Sequence, residues 1–341
     1  MKKFSLLLSF FILISWQVFA QTGKKSETGS DKSVNPIPGS SLVRIGKENH
    51  IHKMSINNKP CISVKDGTRL VFECWDALEG RSKEYFDNPH VARGNDYSNP
   101  ATGPIFIEGA LPGNALEIEI HDIRLSKSGF KLLYKNQFLD NADKEVIYNV
   151  IEVEGDQILY NGRKMPVQSM VGVIGVAGLN EIWTQEVGDN GSNMDTRIIK
   201  KGSKVILPVV VEGALFAMGD THAVMGDGEI TGSGVEIGAD IEVTVRVRKD
   251  LKIRRPMIIN PDRIACIASN TDILVAKDQV IQDMGKYLVD MCGFSSVDAS
   301  ALIAFYGNLR FCQVVNPQKT IRMEIEKKYI DLFAHKALPV F

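Results

Sequence analysis

The sequence predicts an α+β protein that is mostly β, with a β-sandwich- or barrel-like body and a pair of helices near the C-terminus. From His50 onward, short alternating segments are separated by Gly, Pro and Asp turns, a spacing typical of sandwiches and barrels. After Arg248 the apolar period becomes that of a helix. The composition, 44% hydrophobic and 24% charged over 341 residues, is that of a globular protein.

The N-terminal residues predict export. Met1–Lys3 is basic, Phe4–Phe19 is almost wholly apolar, and Val18–Ala20 fits a small-residue cleavage site. We therefore expect a signal peptide over residues 1–20 and a periplasmic or secreted protein. Gln21–Ser41 is rich in Ser, Lys, Gly and Pro, which predicts a disordered tether before a single domain at 42–341.

Charge and hydropathy exclude two classes of partner. Without Lys2 and Lys3 the formal net charge goes from -1 to -3, far from the basic balance of a nucleic-acid binder. No stretch after the signal approaches the roughly eighteen apolar residues of a membrane span, so no membrane association is expected after cleavage. Association into a homo-oligomer is left open.

The five cysteines are interpreted mainly as small buried hydrophobic residues. Their number is odd and no CxxC spacing occurs, so at least one thiol is free. One disulfide, such as Cys292–Cys312, is left open.

Individual strands follow from alternation and turn residues. The segments that alternate are Cys61–Val64, Arg69–Trp75, Ala115–Ile120 and Ile237–Arg248. Tyr160–Arg163 predicts a hairpin turn, because it carries Asn-Gly at its centre.

Two helices and a final strand are predicted after residue 279. Val280–Met291 and Ser295–Arg310 place apolar residues at helical spacing, and Ser295 and Ser296 are the N-cap candidates of the second helix. Gln313–Ile325 returns to a strand pattern.

Two irregular segments are candidates for the border of a site. Tyr85–Ala101 has no periodicity and is interpreted as a variable surface loop, with a functional loop as the alternative. Met170–Ala177 is apolar and glycine-rich, but Gly172 and Gly175 do not form a dinucleotide-binding fingerprint. Its glycines are expected to let the backbone pack closely beside a site.

The segment Gly213–Gly234, GALFAMGDTHAVMGDGEITGSG, is the main functional candidate. It follows a predicted buried strand, Val205–Ala217, that is interrupted at Glu212-Gly213. In extended geometry Asp220 and His222 share one face, and so do Asp227 and Glu229. These side chains could ligate one divalent metal, and a polar hairpin loop is the equal alternative from spacing alone.

Several motifs together resemble the acetamidase/formamidase family, in the same order along the chain. They are GDTHAVMGDGEITGSGVEI, NPATGPIFIEGALPGNALEIEIHDI, MVGVIGVA, GSNMDTR and LRFCQVVNP. The resemblance spans about His50 to Ile325. Longer members have a histidine near the segment matching Met170–Ala177, and its absence makes this chain similar to the short, acetamidase-like branch. The resemblance implies a β-rich, metal-dependent hydrolase that converts short-chain amides to ammonia and a carboxylate.

The resemblance also implies the site residues. The implied metal ligands are Glu108, Asp195, Asp220 and His222. The implied catalytic residues are Glu229, His222 and Asp220, with Glu229 as the acid that accepts the proton of water. The implied substrate-binding residues are Asn193, Asp76 and Asp227.

Some of these residues have structural alternatives. Asp76 could instead cap a turn, and Asp227 could belong to an Asp-Gly turn. Glu108 lies in an apolar context, where a buried carboxylate needs a partner or a metal. His50 and His52 alternate at a strand start, and a ligand role for them is the less favoured interpretation.

The expected cofactor is a divalent metal, zinc first, with calcium or manganese as alternatives because most ligand candidates are carboxylates. Two other functions remain as alternatives to the hydrolysis of short-chain amides. One is hydrolysis of a different C–N bond, such as that of a carbamate or formyl-amine. The other is a catalytically silent exported protein that binds a metal or a small ligand.

Overall fold

The computed structural model describes residues 35–36, 42–88, 98–135 and 145–333. These residues belong to one compact unit, Lys32–Phe341. The predicted signal peptide lies outside the described residues. Of the predicted tether, only Asn35–Pro36 is described, and it pairs antiparallel with Val43–Arg44, so this part of the tether is a short strand.

The described strands and helices are numbered in chain order. The strands are β1 Asn35–Pro36, β2 Val43–Ile45, β3 His50–Ile51, β4 Lys53–Met54, β5 Ile62–Val64, β6 Arg69–Cys74, β7 Ala101–Ile107, β8 Ala115–Leu125, β9 Ser128–Tyr134, β10 Val146–Glu154, β11 Gln157–Tyr160, β12 Arg163–Pro166, β13 Met170–Gly175, β14 Ile182–Trp183, β15 Val187–Gly188, β16 Gly191–Asn193, β17 Lys204–Pro208, β18 Phe216–His222, β19 Glu236–Ile237, β20 Ala239–Arg248, β21 Met257–Ile259, β22 Arg263–Asn270, β23 Asn308–Gln313 and β24 Lys319–Glu326. The helices are α1 Ser82–Asp87, α2 Ile273–Lys286, α3 Ser296–Tyr306 and α4 Lys327–Phe333, and a π-helical stretch, Tyr287–Met291, continues α2.

Two large sheets contain most of these strands. Within the described ranges, a ten-stranded sheet has the order β1-β2-β6-β20-β8-β17-β21-β22-β24-β23. A twelve-stranded sheet has the order β12-β11-β10-β9-β19-β18-β13-β16-β15, with β7 pairing β18, β3 and β5. β18 therefore lies inside the twelve-stranded sheet, with β19, β13 and β7 as neighbours.

The main core lies between the two sheets. Phe72 of the ten-stranded sheet and Phe216 of the twelve-stranded sheet make an edge-to-face contact with ring centroids 5.5 Å apart. Ile241, Val243 and Val245 of β20 are fully buried in the same cluster, as the predicted alternation requires. The predicted β-sandwich is confirmed.

A layer of helices covers the other face of the ten-stranded sheet. On β17, Val205 and Leu207 enter the core between the sheets, whereas Ile206 packs towards the helices with Val280 and Met284 of α2. The predicted C-terminal helical pair is therefore confirmed as α2 and α3. The second helix ends at Tyr306 rather than Arg310, because the following residues pair with β24 as an edge strand.

The predicted strand over Val205–Ala217 is two strands in different sheets. Its first half is β17 of the ten-stranded sheet, and its second half runs into β18 of the twelve-stranded sheet. Between them Gly213, Ala214 and Leu215 all adopt positive φ angles, which turn the chain from one sheet to the other. This crossover delivers β18 to the middle of its sheet.

Two smaller expectations, on the hairpin and on the cysteines, are also tested by the structure. The hairpin at Asn161-Gly162 is present, with φ of 48° and 72° joining β11 to β12. All five cysteines are free, so the Cys292–Cys312 disulfide is absent. Residues 89–97 of the irregular segment Tyr85–Ala101 lie outside the described residues.

No helix within the described ranges has the length and apolar character that a membrane crossing needs.

Candidate active site

The candidate site forms where three elements meet around β18. Asp220 and His222 lie at the end of β18, and His222 pairs directly with Glu236 of β19. On the other side, β13 pairs with both β18 and β16, and Asp195 follows β16 with its N–H directed at the Gly172 carbonyl. Glu229 comes from the turn between β18 and β19. The long-range pairing therefore assembles residues that are distant in the chain.

The other four residues surround His222. Its Nε2 lies 3.1 Å from Glu236 Oε1 and 3.7 Å from Asp220 Oδ1. Two sets of potential ligand atoms, each within 4.8 Å of one another, share this histidine. One set is Asp195, His222 and Glu229, and the other is Asp220, His222 and Glu236. We refer to the five residues as the active-site cluster.

The active-site cluster is buried, and several of its polar atoms have no hydrogen-bond partner among the described residues. Its members are at most 6% exposed. Within the described part of the chain, both carboxylate oxygens of Asp195, Oδ1 of Asp220, Oε2 of Glu236 and Nδ1 of His222 have no hydrogen-bond partner. Buried polar atoms without partners are costly, so this donor set fits a bound divalent cation.

Burial and mutual repulsion perturb every pKa that can be assigned here. Burial, together with the surrounding acids, raises the pKa of Glu229 to about 8 and that of Glu236 to about 7. The pKa of the Asp195 carboxyl rises well above its usual range for the same reasons. Burial alone would lower the pKa of His222, but the facing carboxylates of Glu236 and Asp220 outweigh it and raise this pKa well above its usual value.

One polar neighbour, Asn99, holds Asp220 in place, and Asn193 in turn contacts Asn99. Asn99 donates from Nδ2 to Asp220 Oδ2 at 2.7 Å and to Asn193 Oδ1 at 3.3 Å. Asn193 is itself buried and donates to the carbonyl of Gln185. The candidate substrate residue Asn193 therefore lies next to the active-site cluster, on the side of Asn99.

Left-handed backbone recurs in the active-site cluster. Asp195, Asp220 and Glu229 have φ angles of 42°, 51° and 49°. Non-glycine residues adopt this region at a cost of about 1–3 kcal/mol, and such strain concentrates at functional sites. The fold thus accepts unfavourable backbone geometry at three of the four acids.

Glu108 is not a member of the active-site cluster, and the expectation that it is buried is wrong. β7 ends at Ile107, so Glu108 falls in the following turn, where it is exposed and accepts a hydrogen bond from Ser63 at 3.3 Å. Its apolar neighbours in sequence belong to the strand rather than to the environment of its side chain.

Asp227 is not a member of the active-site cluster and pairs with an arginine instead. It accepts two hydrogen bonds, at 3.0 and 2.9 Å, from the guanidinium of the buried Arg322. The expectation that Asp227 and Glu229 share one face is wrong, because both lie in a turn rather than a strand.

Asp76 caps a turn, as its structural alternative proposed. Its Oδ1 accepts hydrogen bonds from the N–H groups of Leu78 and Gly80, both at 2.9 Å. Burial raises the pKa of Asp76, and the charge of Asp220 adds to the effect, so Asp76 lies within electrostatic range of the active-site cluster.

Sequence reasoning missed three residues around the site. Glu236 stands within the quoted GVEI motif, but only the pairing of β18 with β19 shows that it faces His222. Asn99 stands in the quoted NPATGP motif. Lys131 on β9 donates to the Ser233 carbonyl at 2.8 Å, and its charge acts on Glu236 and Glu229. A buried acid opening a strand and a buried lysine have no local sequence signature.

Comparisons with known proteins all point to the same family. A profile of the acetamidase/formamidase family matches residues 183–316. The crystal structure of a predicted acetamidase/formamidase from Thermoanaerobacter tengcongensis is 34% identical, with a TM-score of 0.80, over 86% of this chain and 98% of the other. The acetamidase of Bacillus halodurans is also 34% identical, with a TM-score of 0.75, over 85% of this chain and 99% of the other.

A curated relative extends the comparison. The formamidase of Methylophilus methylotrophus is 24% identical over 249 residues, which are 54% of this chain and 60% of the relative. The match to the curated relatives thus spans about 60% of their length or slightly less.

The two solved structures cover nearly their full length at one third identity, and the fold and motif order agree with them. The chain belongs to the acetamidase/formamidase family.

Proposed function

We propose that this protein hydrolyses short linear carboxamides, of the formamide and acetamide type, to a carboxylate and ammonia with the help of a divalent metal ion. The observation that carries the proposal is the active-site cluster, in which buried carboxylate and imidazole atoms converge without partners among the described residues. Relatives named acetamidase and formamidase support the substrate class.

The residues that would hold the ion are Asp220, His222 and Glu236, whose potential ligand atoms lie within 4.8 Å of one another, and Asp195, which shares His222 in the second set. When bound, the ion would polarise the amide carbonyl and lower the pKa of a water molecule beside it. Zinc is our first choice because an imidazole is present, and the carboxylate majority keeps calcium and manganese as alternatives.

Glu229 is our choice for proton transfer. It is 6% exposed, and in the metal-free site burial raises its pKa to about 8, which brings this carboxyl into the range where it can take up and release a proton near neutral pH. It would accept a proton from water and deliver it to the leaving nitrogen, because an amide anion is a very poor leaving group. Lys131, whose charge acts on Glu229, and Asn99, which holds Asp220, would keep the acids oriented.

A single substitution tests this role. Glu229→Gln keeps the shape of the side chain and removes its basicity, so kcat for ammonia release should fall by about 10²–10⁴ with little change in KM. Glu108→Gln is the matched control, because Glu108 is exposed and outside the active-site cluster, and its kcat should stay unchanged. Undiminished turnover by Glu229→Gln would show that another group transfers the proton.

The substrate panel separates the alternatives. Formamide, acetamide and propionamide test the proposed class, while a carbamate and a formyl-amine test hydrolysis of other C–N bonds. A protein that binds metal yet hydrolyses none of them, with ammonia or amine release as the readout, would be a silent binding protein, and the proposal would then be wrong.

A further inference from the structure

A second group of metal-ligating side chains lies outside the active-site cluster. His52 Nε2 is 2.9 Å and His50 Nε2 is 3.4 Å from the same atom, Glu79 Oε1. The two imidazole rings are nearly perpendicular, with centroids 5.2 Å apart. All three side chains are about one fifth exposed, so an ion from solvent can reach them.

The fold holds this group firmly. β3 pairs His50 with Thr102 of β7, and the His52 carbonyl accepts a hydrogen bond from the Thr184 N–H at 2.8 Å. Glu79 lies in the turn that Asp76 caps, with a φ of 55°. A glutamate in a left-handed conformation, where glycine is cheaper, is a recurrent feature of functional positions.

The hydrogen bonds around His50 match those of a metal ligand. Its Nδ1 is 2.8 Å from the Lys47 carbonyl, which can only accept, so Nδ1 carries the proton. In the neutral ring Nε2 then presents a lone pair towards Glu79 Oε1. Metal-ligating histidines typically donate their other N–H to a backbone carbonyl in this way.

Glu79 Oε1 adds a second, independent observation. This atom is buried, and although two imidazole nitrogens lie close, it receives no hydrogen bond from any described residue. A lone pair facing an unsatisfied carboxylate oxygen is repulsive, and a cation between the two reverses the sign of that interaction.

We propose that His50, His52 and Glu79 hold a divalent transition-metal ion of the zinc class at a second site, separate from the active-site cluster. Two imidazoles and one carboxylate suit zinc better than calcium or magnesium, and three protein ligands leave coordination positions for water. The proposal does not depend on amide hydrolysis.

The second site would brace the active-site cluster indirectly. The turn that carries Glu79 also presents the Ala77 carbonyl, which accepts a hydrogen bond from the Asn99 N–H at 2.8 Å. Asn99 in turn donates to Asp220. An ion that ties the His50–His52 segment to this turn therefore fixes the residue that orients an active-site acid.

Zinc chloride titrated into the metal-stripped full chain, with zinc counted by elemental analysis, tests the proposal. The H50Q/H52Q double variant should bind one zinc fewer per chain than the wild type. Glu79→Gln, which keeps the turn, should weaken one zinc site by about tenfold or more. His121→Gln is the matched control and should change neither number, because its Nε2 contacts Thr244 elsewhere.

Crystals soaked in zinc chloride give a readout that no folding defect can mimic. An anomalous peak at the zinc edge should lie between the two imidazoles and Glu79. The absence of a peak there, or an unchanged zinc count in H50Q/H52Q, would overturn the second site. Because both readouts are binding, failure of the amidase assay would leave this proposal standing, and its own failure would leave the proposed amidase activity standing.

Discussion

At the scale of single residues, the site depends on the absence of a side chain at Gly172. A Cβ at Gly172 would lie 2.4 Å from Asp195 Oδ1 and 2.9 Å from Asp220 Oδ2. The two carboxylates can therefore approach each other only because β13 has no side chain there. This matches the expectation that the glycines of Met170–Ala177 let the backbone pack beside a site.

Replacing this glycine should separate the carboxylates. We expect Gly172→Ala to lower metal affinity and amidase turnover by at least about tenfold, because ligand positions shift by a sizeable fraction of an ångström. Gly226→Ala is the matched control, since a Cβ there meets no atom within 4 Å and should be tolerated. Equal activity in the two variants, assayed by ammonia release alongside circular dichroism, would contradict this view of β13.

Residue-level prediction worked where a single strand holds both partners. Asp220 and His222 lie two apart on β18, so local alternation was sufficient to place them together. It failed for Glu108, because this residue follows the last residue of β7 and its side chain is exposed in a turn. It also failed for Asp227, because an aspartate that pairs with a distant arginine has the same local sequence as one that faces a site.

At the scale of elements, periodicity predicted the helices and the alternating strands but not their assignment to sheets. The run from Val205 to Ala217 is apolar except at Glu212-Gly213, yet it begins in β17 of one sheet and ends in β18 of the other. The positive φ angles that produce the crossover fall partly on Ala214 and Leu215, residues without any preference for that conformation.

The start of α3 gives an element-level prediction. Ser295 is the N-cap, and its hydroxyl accepts a hydrogen bond from the Asp298 N–H at 3.0 Å. Ser295→Ala should reduce the free energy of unfolding by about 1 kcal/mol. Ser296→Ala, at the first helical position, should change it by less than about 0.5 kcal/mol. Urea denaturation compares the two variants. A larger loss of stability in Ser296→Ala than in Ser295→Ala would show that Ser295 is not the N-cap.

At the scale of the whole molecule, composition and turn spacing predicted a sandwich, because many short alternating strands have few other ways to bury their apolar faces. The order of the strands in the two sheets could not be predicted from the sequence. Pairing of β18 with β19, β13 and β7 joins segments far apart in the chain, and Glu236 enters the site only through that pairing. Export through residues 1–20 remains a prediction.

The buried charges make a prediction for the stability of the metal-free protein. The pKa values of Asp195, Glu229, Glu236 and His222 are all raised, so folding takes up protons at these groups. The native state then binds more protons than the unfolded state from about pH 4.5 to about pH 8, and the free energy of unfolding falls as pH rises. A tenfold change in proton affinity corresponds to about 1.4 kcal/mol, so a loss of a few kcal/mol is expected.

Urea denaturation in chelator, from about pH 5 to about pH 8.5, measures this slope. The Glu229→Gln/Glu236→Gln variant is the control and should show a shallower slope, because two of the titrating groups are gone. A variant slope equal to that of the wild type would contradict the raised pKa values.

The central claim is that the active-site cluster holds a divalent ion and hydrolyses amides. Ammonia release from formamide and acetamide, measured on metal-stripped protein before and after one divalent ion is restored, tests it most directly. We predict no release from the stripped protein, recovery on adding the ion, and no recovery in Asp195→Asn, which lacks a buried ligand. Full turnover by the stripped protein, or none by the metal-loaded protein, would contradict the claim.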